Sequence, residues 1–285
     1  MNDIGFVILH YKTFSDTKNC VESILHNVPQ SPIIIVDNGS NNGTGEKLRM
    51  EYYDEKYVEV LFTGKNIGFA NGNNMGIDYL RKSYQPQFVV VMNNDTLILQ
   101  NNFLEIIENE YKISKFAVLG PQIIINDGSN KSNPVEQIAD TTRIVKILLF
   151  KKQVKLLLNR LHLNRFLHDA GTSTAHKEKY NNLKRYENVK LHGACWIFSK
   201  NFFEVYSGIN NSTFLYFEED ILYLETVKKG LLTVYNPDIR IKHFEDSSTN
   251  CIVKNNREKN IFVLTHEIQS LKILMNFLRL SDVNH

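Results

Sequence analysis

Phe88-Val89-Val90-Val91-Met92-Asn93-Asn94-Asp95-Thr96 decides the fold, because an unbroken apolar run rich in β-branched residues ends abruptly in two carboxamides and a carboxylate. A strand with no polar alternation is covered on both faces, so Phe88–Met92 reads as the buried centre of a parallel sheet in an α/β protein. Its polar end is the carboxyl end of that strand, where open α/β sheets gather their ligands. A carboxylate at Asp95 flanked by Asn93 and Asn94 suits a metal ion and a phosphate. The same three residues also favour a plain Asx turn that leaves the sheet.

On either side of this strand the chain alternates strand and helix patterns. Ile4–Tyr11, Pro32–Val36, Val58–Phe62 and Ala117–Ile125 read as further strands, with helices at Thr17–Asn27, Glu46–Asp54, Asn71–Lys82 and Phe103–Lys115 between them. Strands separated by helices at this spacing build a mainly parallel sheet. After Leu191 the rhythm resumes. His192–Phe198 is strand-like, Phe214–Phe217 is aromatic and extended, Asp220–Lys229 is helical and stopped by Gly230, and Leu232–Tyr235 and Ile239–His243 are short strands. Ile261–Leu280 is a terminal amphipathic helix, with Leu264, Ile268, Leu271, Leu274 and Met275 at near-helical spacing.

The stretch from Asn126 to Glu187 interrupts this order. From Thr141 to His168 there is no acidic residue, while Arg143, Lys146, Lys151, Lys152, Lys155, Arg160 and Arg165 are interleaved with leucines. Phe150, Val154, Leu157, Leu158 and Leu161 fall on one helical face with Lys151, Lys152 and Lys155 off it, which predicts a basic amphipathic helix. Such a helix either docks that face on its own core with its lysines in water, or meets a membrane surface or a partner. The expected layout is one domain over 1–285, with a nucleotide-binding half at 1–125, a basic helical insertion at 126–187, a catalytic half at 188–255 and a C-terminal helix at 256–285.

Composition sets bounds on function. A formal net charge of +2 with 22% charged residues is too small to imply nucleic acid as a partner. Cys20, Cys195 and Cys251 sit in apolar segments without metal-ligand spacing, so they read as reduced core thiols, which predicts a cytoplasmic location. The chain starts directly in a strand-like run, without the pattern of a signal peptide, and has no run of about 18 apolar residues.

Four groups of residues are placed to carry chemistry. Asp37 and Gly39 close the second predicted strand, where a carboxylate can accept hydrogen bonds from a nucleobase and a glycine permits a tight turn. Asn66, Gly68, Asn71 and Asn74 lie in a glycine- and carboxamide-rich stretch suited to close approach by a ligand. Asn93, Asn94 and Asp95 form the third group; a hard cation such as magnesium or manganese needs few protein ligands when it also binds substrate phosphates. Glu218, Glu219 and Asp220 form the fourth, at a helix start. The helix dipole favours acidic residues there, but three exceed what capping needs, and burial among aromatics would raise the pKa of at least one toward that of a general base. His243 ends a short strand and takes its meaning from what stands opposite it.

Together these pieces resemble the family 2 glycosyltransferases of GT-A fold, in particular the bacterial, rhamnosyltransferase-like branch that builds surface polysaccharides. The resemblance is carried in order by Val7–Tyr11, Val36–Thr44, Asn66–Gly76, Val91–Thr96, His192–Lys200, Phe214–Asp220 and the His243–Ser248 pattern. It implies an inverting enzyme that moves a sugar from a UDP- or dTDP-linked donor to a saccharide acceptor, often lipid-linked, in capsule, O-antigen or exopolysaccharide synthesis. Tyr11, Asp37, Gly39, Asn66, Gly68, Asn71, Asn74, Asn93 and Asn94 would surround the nucleotide sugar. Asp95 matches the last acidic position of the family's metal motif, with Asn93 in place of the first aspartate, and His243 matches a position that can complete a magnesium or manganese site. Gly193 and Ala194 would line the donor sugar, and Trp196 and Glu218 the acceptor side. Glu219 falls on the catalytic base; glutamate replaces the usual aspartate with Asp220 directly behind, so the resemblance leaves open which of the two is the base. A lipid-linked acceptor would be met at the inner face of the cell membrane, which gives residues 141–168 a reading as a peripheral contact. The alternative is a family member without activity that binds saccharide or scaffolds a synthesis complex.

Overall fold

The computed structural model describes residues 3–125, 133–136, 138–163, 180–244 and 256–282. Cys251, Ser247, Ser248 and Thr249, and residues 164–168 of the basic stretch, lie outside them. The first half runs β1 (Ile4–His10), α1 (Phe14–Asn27), β2 (Ile33–Asp37), α2 (Thr44–Glu51), β3 (Val58–Phe62), α3 (Phe69–Ser83), β4 (Phe88–Asn93), β5 (Thr96–Ile98), α4 (Phe103–Ser114) and β6 (Val118–Ile124). The second runs α5 (Thr142–Arg160), β7 (Tyr186–Glu187), β8 (Cys195–Ser199), α6 (Lys200–Phe203), α7 (Glu218–Lys228), β9 (Thr233–His243) and α8 (Asn256–Asp282).

These strands form one sheet in the order β3-β2-β1-β4-β8-β6-β9-β5, with β7 added against β9. The apolar run lies at its centre as β4, parallel to β1 and antiparallel to β8. Continuous apolar strands are required there because both faces are covered. On one face Phe6 and Ile8 of β1 meet Cys20, Val21 and Ile24 of α1 and Phe103 and Ile107 of α4. On the other, Val7 meets Ala70, Ile77 and Leu80 of α3. The buried thiols of Cys20 and Cys195 have their pKa values pushed up by desolvation, which makes them inert packing groups. The architecture is the α/β, GT-A-like one expected, with a mixed sheet: β1 to β4, β6 and β9 run one way, and β5, β7 and β8 the other.

Three local expectations change. β8 starts at Cys195 rather than at residue 192, because the amides ahead of it go to side chains: Gly193 N donates to Glu219 Oε1 and Ala194 N to His192 Nδ1. The two short strands expected at 232–243 are one strand, β9, interrupted opposite Pro121 and Gln122, where the register jumps from Asn236 to Arg240 past Pro237. Phe214–Phe217 is a bend rather than an extended segment. Tyr216 and Phe217 both take left-handed backbone angles (φ 72° and 67°) and turn the chain into α7.

A third apolar cluster joins the outer helices. Val145 of α5 and Ile221 of α7 pack with Leu271, Leu274 and Leu278 of α8, so the terminal helix buries the face that its periodicity predicts. No helix among the described residues is long and apolar enough to cross a membrane.

Candidate active site

A cleft of about 610 Å³ opens at the carboxyl ends of β1 and β4 and is closed by the chain around residues 192–196 and 214–219. It collects Tyr11, Asn66, Gly68, Asn93, Asn94, Asp95, Gly193, Ala194, Trp196, Glu218, Glu219 and His243 from the sequence-derived set. Asp37, Gly39, Asn71, Asn74 and Asp220 lie outside its lining.

The β4 end is both a turn and a cleft wall, so its two sequence readings are compatible. Asn94 and Asp95 are the two residues that connect β4 to β5. Asn94 Nδ2 donates to Thr13 Oγ1 (2.7 Å) and Thr17 Oγ1 (3.0 Å), which fastens the turn to the start of α1. Thr17 is in turn held by His10 Nδ1 at 2.7 Å, while His10 Nε2 reaches Thr44 Oγ1 at 2.8 Å; burial pushes the His10 pKa down to about 4, which keeps this linker neutral. Asp95 Oδ1 stands 3.2 Å from His243 Nε2, because β5 and β9 pair antiparallel with Thr96 opposite His243.

Among the described residues no group of three histidine, cysteine or acidic side chains is arranged to hold a metal. One carboxylate and one imidazole converging on the cleft nonetheless fit a magnesium or manganese ion that takes its other ligands from diphosphate oxygens and water.

Asn38 is a cleft residue that sequence reading did not assign. Its Oδ1 accepts from Ile67 N (3.0 Å), and its Nδ2 donates to Asn66 Oδ1 and Gly68 O (both 3.2 Å), binding the β2 end to the loop before α3. Beside it Asp37 is buried and turned to its own loop, accepting from the backbone and hydroxyl of Ser40; burial raises its pKa and these bonds oppose the rise. Gly39 has φ 73°, and a Cβ there would lie 2.4 Å from the Lys65 backbone. Asn71 and Asn74 belong to α3. Asn74 bonds Ile209 through both side-chain atoms and Asn71 accepts from Asn211, so both amides tie α3 to the 209–211 loop.

The acidic triplet divides by function of position. Asp220 is buried and points away from the cleft: it accepts from Ala139 N at 2.8 Å and pairs with Lys190 Nζ at 3.0 Å. Glu219 faces the cleft, where Gly193 N donates to it and His192 Nδ1 lies 3.8 Å away. Glu218 lines the cleft from a buried position and accepts from Thr213 Oγ1 at 3.0 Å. Desolvation pushes its pKa up from 4.5 to about 7, so this is the carboxyl of the triplet raised by burial. The stabilising protonated form is fully present below about 4.5, and its contribution is lost as pH rises toward 7. Relative to the unmodified chain, Glu218→Gln is therefore expected to gain up to about 3 kcal/mol of unfolding free energy between pH 4.5 and 8. Denaturant titrations at the two pH values measure this; an unchanged difference would mean that the carboxyl is not raised.

Trp196 contributes wall rather than surface. It is fully buried, donates to Leu191 O and sits edge-on to Phe69 at 6.0 Å, behind Gly193. The far lip comes from α8, which carried no motif in the sequence. Phe262 lines the cleft, and His266 one turn later stacks on Phe214 with ring centroids 5.0 Å apart. Ser270 Oγ donates to Leu215 O, fixing α8 on the strained bend at Tyr216 and Phe217. Non-glycine residues in the left-handed region cost of order 1–3 kcal/mol each and persist where the surroundings over-determine them.

The profile described as Glycosyl transferase family 2 matches residues 6–206. The low-salt glycan biosynthesis hexosyltransferase Agl10 of Haloferax volcanii is 26% identical over 219 residues, which cover 77% of this chain and 60% of that protein. Glycosyltransferase GlyG of Streptococcus pneumoniae serotype 4 is 30% identical over 99 residues, 34% of this chain and 32% of GlyG. Among solved structures, residues 1–349 of S. aureus TarS superpose with a TM-score of 0.52 at 12% identity, covering 85% of this chain and 60% of that one; at this identity the likeness is one of fold. This chain thus spans 60% of the length of Agl10 and 32% of that of GlyG. The family match takes in the β4 end, Asp95 and the wall at 192–196, and it covers well over half of the sequence. The chain belongs to glycosyl transferase family 2.

Proposed function

We propose that the chain is an inverting glycosyltransferase that moves a sugar from a UDP- or dTDP-linked donor to a saccharide acceptor, lipid-linked, in the assembly of a bacterial surface polysaccharide. The observation that carries this reading is that Glu219 and the Asp95–His243 pair line one cleft at the carboxyl end of β4, with the donor-side loop of Asn38, Asn66 and Gly68 between strand ends. The nucleotide sugar lies along that loop and Tyr11, with Gly193 and Ala194 beside the sugar. Glu219 accepts the proton of an acceptor hydroxyl as its oxygen bonds to the anomeric carbon, and the bond to the diphosphate breaks with its electron pair leaving on the phosphate oxygen. Gly193 N holds Glu219 in place for this step. Asp95 and His243 would hold a divalent cation, which when bound would supply neutralisation of charge on the departing diphosphate. Asp37 supports the nucleotide loop from behind, and Asp220 supports α7.

The test uses Asp95→Ala. Manganese stimulation of sugar transfer is expected to vanish in this variant, while calorimetric donor binding in metal-free buffer stays as in the unmodified chain. Full activity of the unmodified chain in a chelator would remove the metal role.

A further inference from the structure

Helix α5 is apolar on two opposite faces, and the side chains of one of them are exposed among the described residues. Its inward face, Val145, Leu148 and Leu149, joins the cluster with Leu271 and Leu274 of α8, and Lys152 on the same side reaches Glu267 at 2.7 Å. At 100° per residue, Ile147, Phe150, Val154, Leu157 and Leu161 form a second stripe about half a turn away. These side chains are 47%, 68%, 39%, 56% and 56% exposed. Most of the face that periodicity singles out is thus exposed, with Leu158 half-buried at its edge, and it does not dock on the described core. A helix with two apolar faces needs two apolar neighbours, and the described residues supply one.

We propose that this outward stripe of α5 docks on an anionic lipid surface. Charge selects the occupant. Lys146, Lys151, Lys155 and Arg160 are exposed along the two flanks of the stripe with Arg143 at its start, and no acidic residue occurs between Thr141 and His168. Apolar side chains entering the acyl boundary with basic ones at headgroup level is the arrangement of an interfacial helix. A second copy of the same stripe would bring these basic flanks against each other. The site is also well placed. α8 carries α5 on one side and gives Phe262 to the cleft on the other, so about two helix thicknesses, roughly 20 Å, separate the docked face from the cleft wall. The consequence for a lipid-linked acceptor rests on the transfer reading; the docking itself does not.

The test is co-sedimentation of the full chain with vesicles of phosphatidylcholine alone or with a quarter phosphatidylglycerol, without donor or acceptor. Binding is expected to the anionic vesicles, at least about tenfold above the neutral ones, and to fall with added salt. Each basic residue is worth about fivefold, the equivalent of roughly 1 kcal/mol near the surface. Lys151→Glu with Lys155→Glu, and separately Phe150→Ser with Leu157→Ser, each lower the partition at least about tenfold with the melting temperature unchanged. Equal binding to both vesicles, no binding, or stripe variants that only turn a dimer into a monomer would overturn the proposal. None of these results touches nucleotide binding, so a failure here leaves the transfer reading standing.

Discussion

Glu219→Gln is expected to lower turnover by about a hundredfold or more while leaving donor affinity and folding stability close to those of the unmodified chain. The geometry makes this a clean substitution. Glu219 accepts its bond from Gly193 N, and a glutamine carbonyl accepts the same bond from the same place, so the side chain stays and its basicity goes. Single-turnover measurement of nucleoside-diphosphate release separates the chemical step from binding. A variant within about threefold of the unmodified rate would move the base elsewhere, and buried Glu218, lining the same cleft with its pKa near 7, is where it would go.

Asp220→Ala is expected to cost about 3–5 kcal/mol of stability, the range for removing one partner of a buried ion pair. Both side chains of the Lys190–Asp220 pair are 6% accessible, so the substitution strands an ammonium in the interior and also leaves Ala139 N without its acceptor. Replacing Lys190 with Met at the same time should return a large part of the loss, because the stranded charge goes with it. Denaturant unfolding of the two single variants and the double variant measures this coupling. Additive losses would mean that the pair is not the stabilising unit. Turnover per folded molecule should change far less in Asp220→Asn than in Glu219→Gln, which separates support of α7 from chemistry.

What the sequence made legible were features that repeat or concentrate along the chain. A short apolar run rich in β-branched residues and without alternation reads as a doubly covered strand, and β4 is at the centre of the sheet; its polar end then falls at a strand terminus, which is where Asp95 stands. Three consecutive carboxylates at a helix start marked α7. Roles that depend on a distant partner were hidden. Asn74 looked like a ligand-facing amide because nothing nearby in sequence reveals its bonds to Ile209, 135 residues away. Asp220 and Glu219 are neighbours of like chemistry, and only Lys190 and Ala139 on one side and Gly193 on the other tell them apart. Helical periodicity found the apolar stripe of α5 but carries no information on which side the core lies. Phe262 gave no signal at all, since one aromatic on an amphipathic helix is indistinguishable from its core neighbours until α8 is seen across the cleft.

Titration calorimetry of the unmodified chain with UDP, dTDP, GDP and CDP, with and without manganese, tests the central claim most directly. At least one of these nucleoside diphosphates should bind, more tightly with the metal present, and Asp95→Ala should abolish that difference. Failure of all four to bind under either condition would contradict a nucleotide-sugar site in the cleft between β4 and α7.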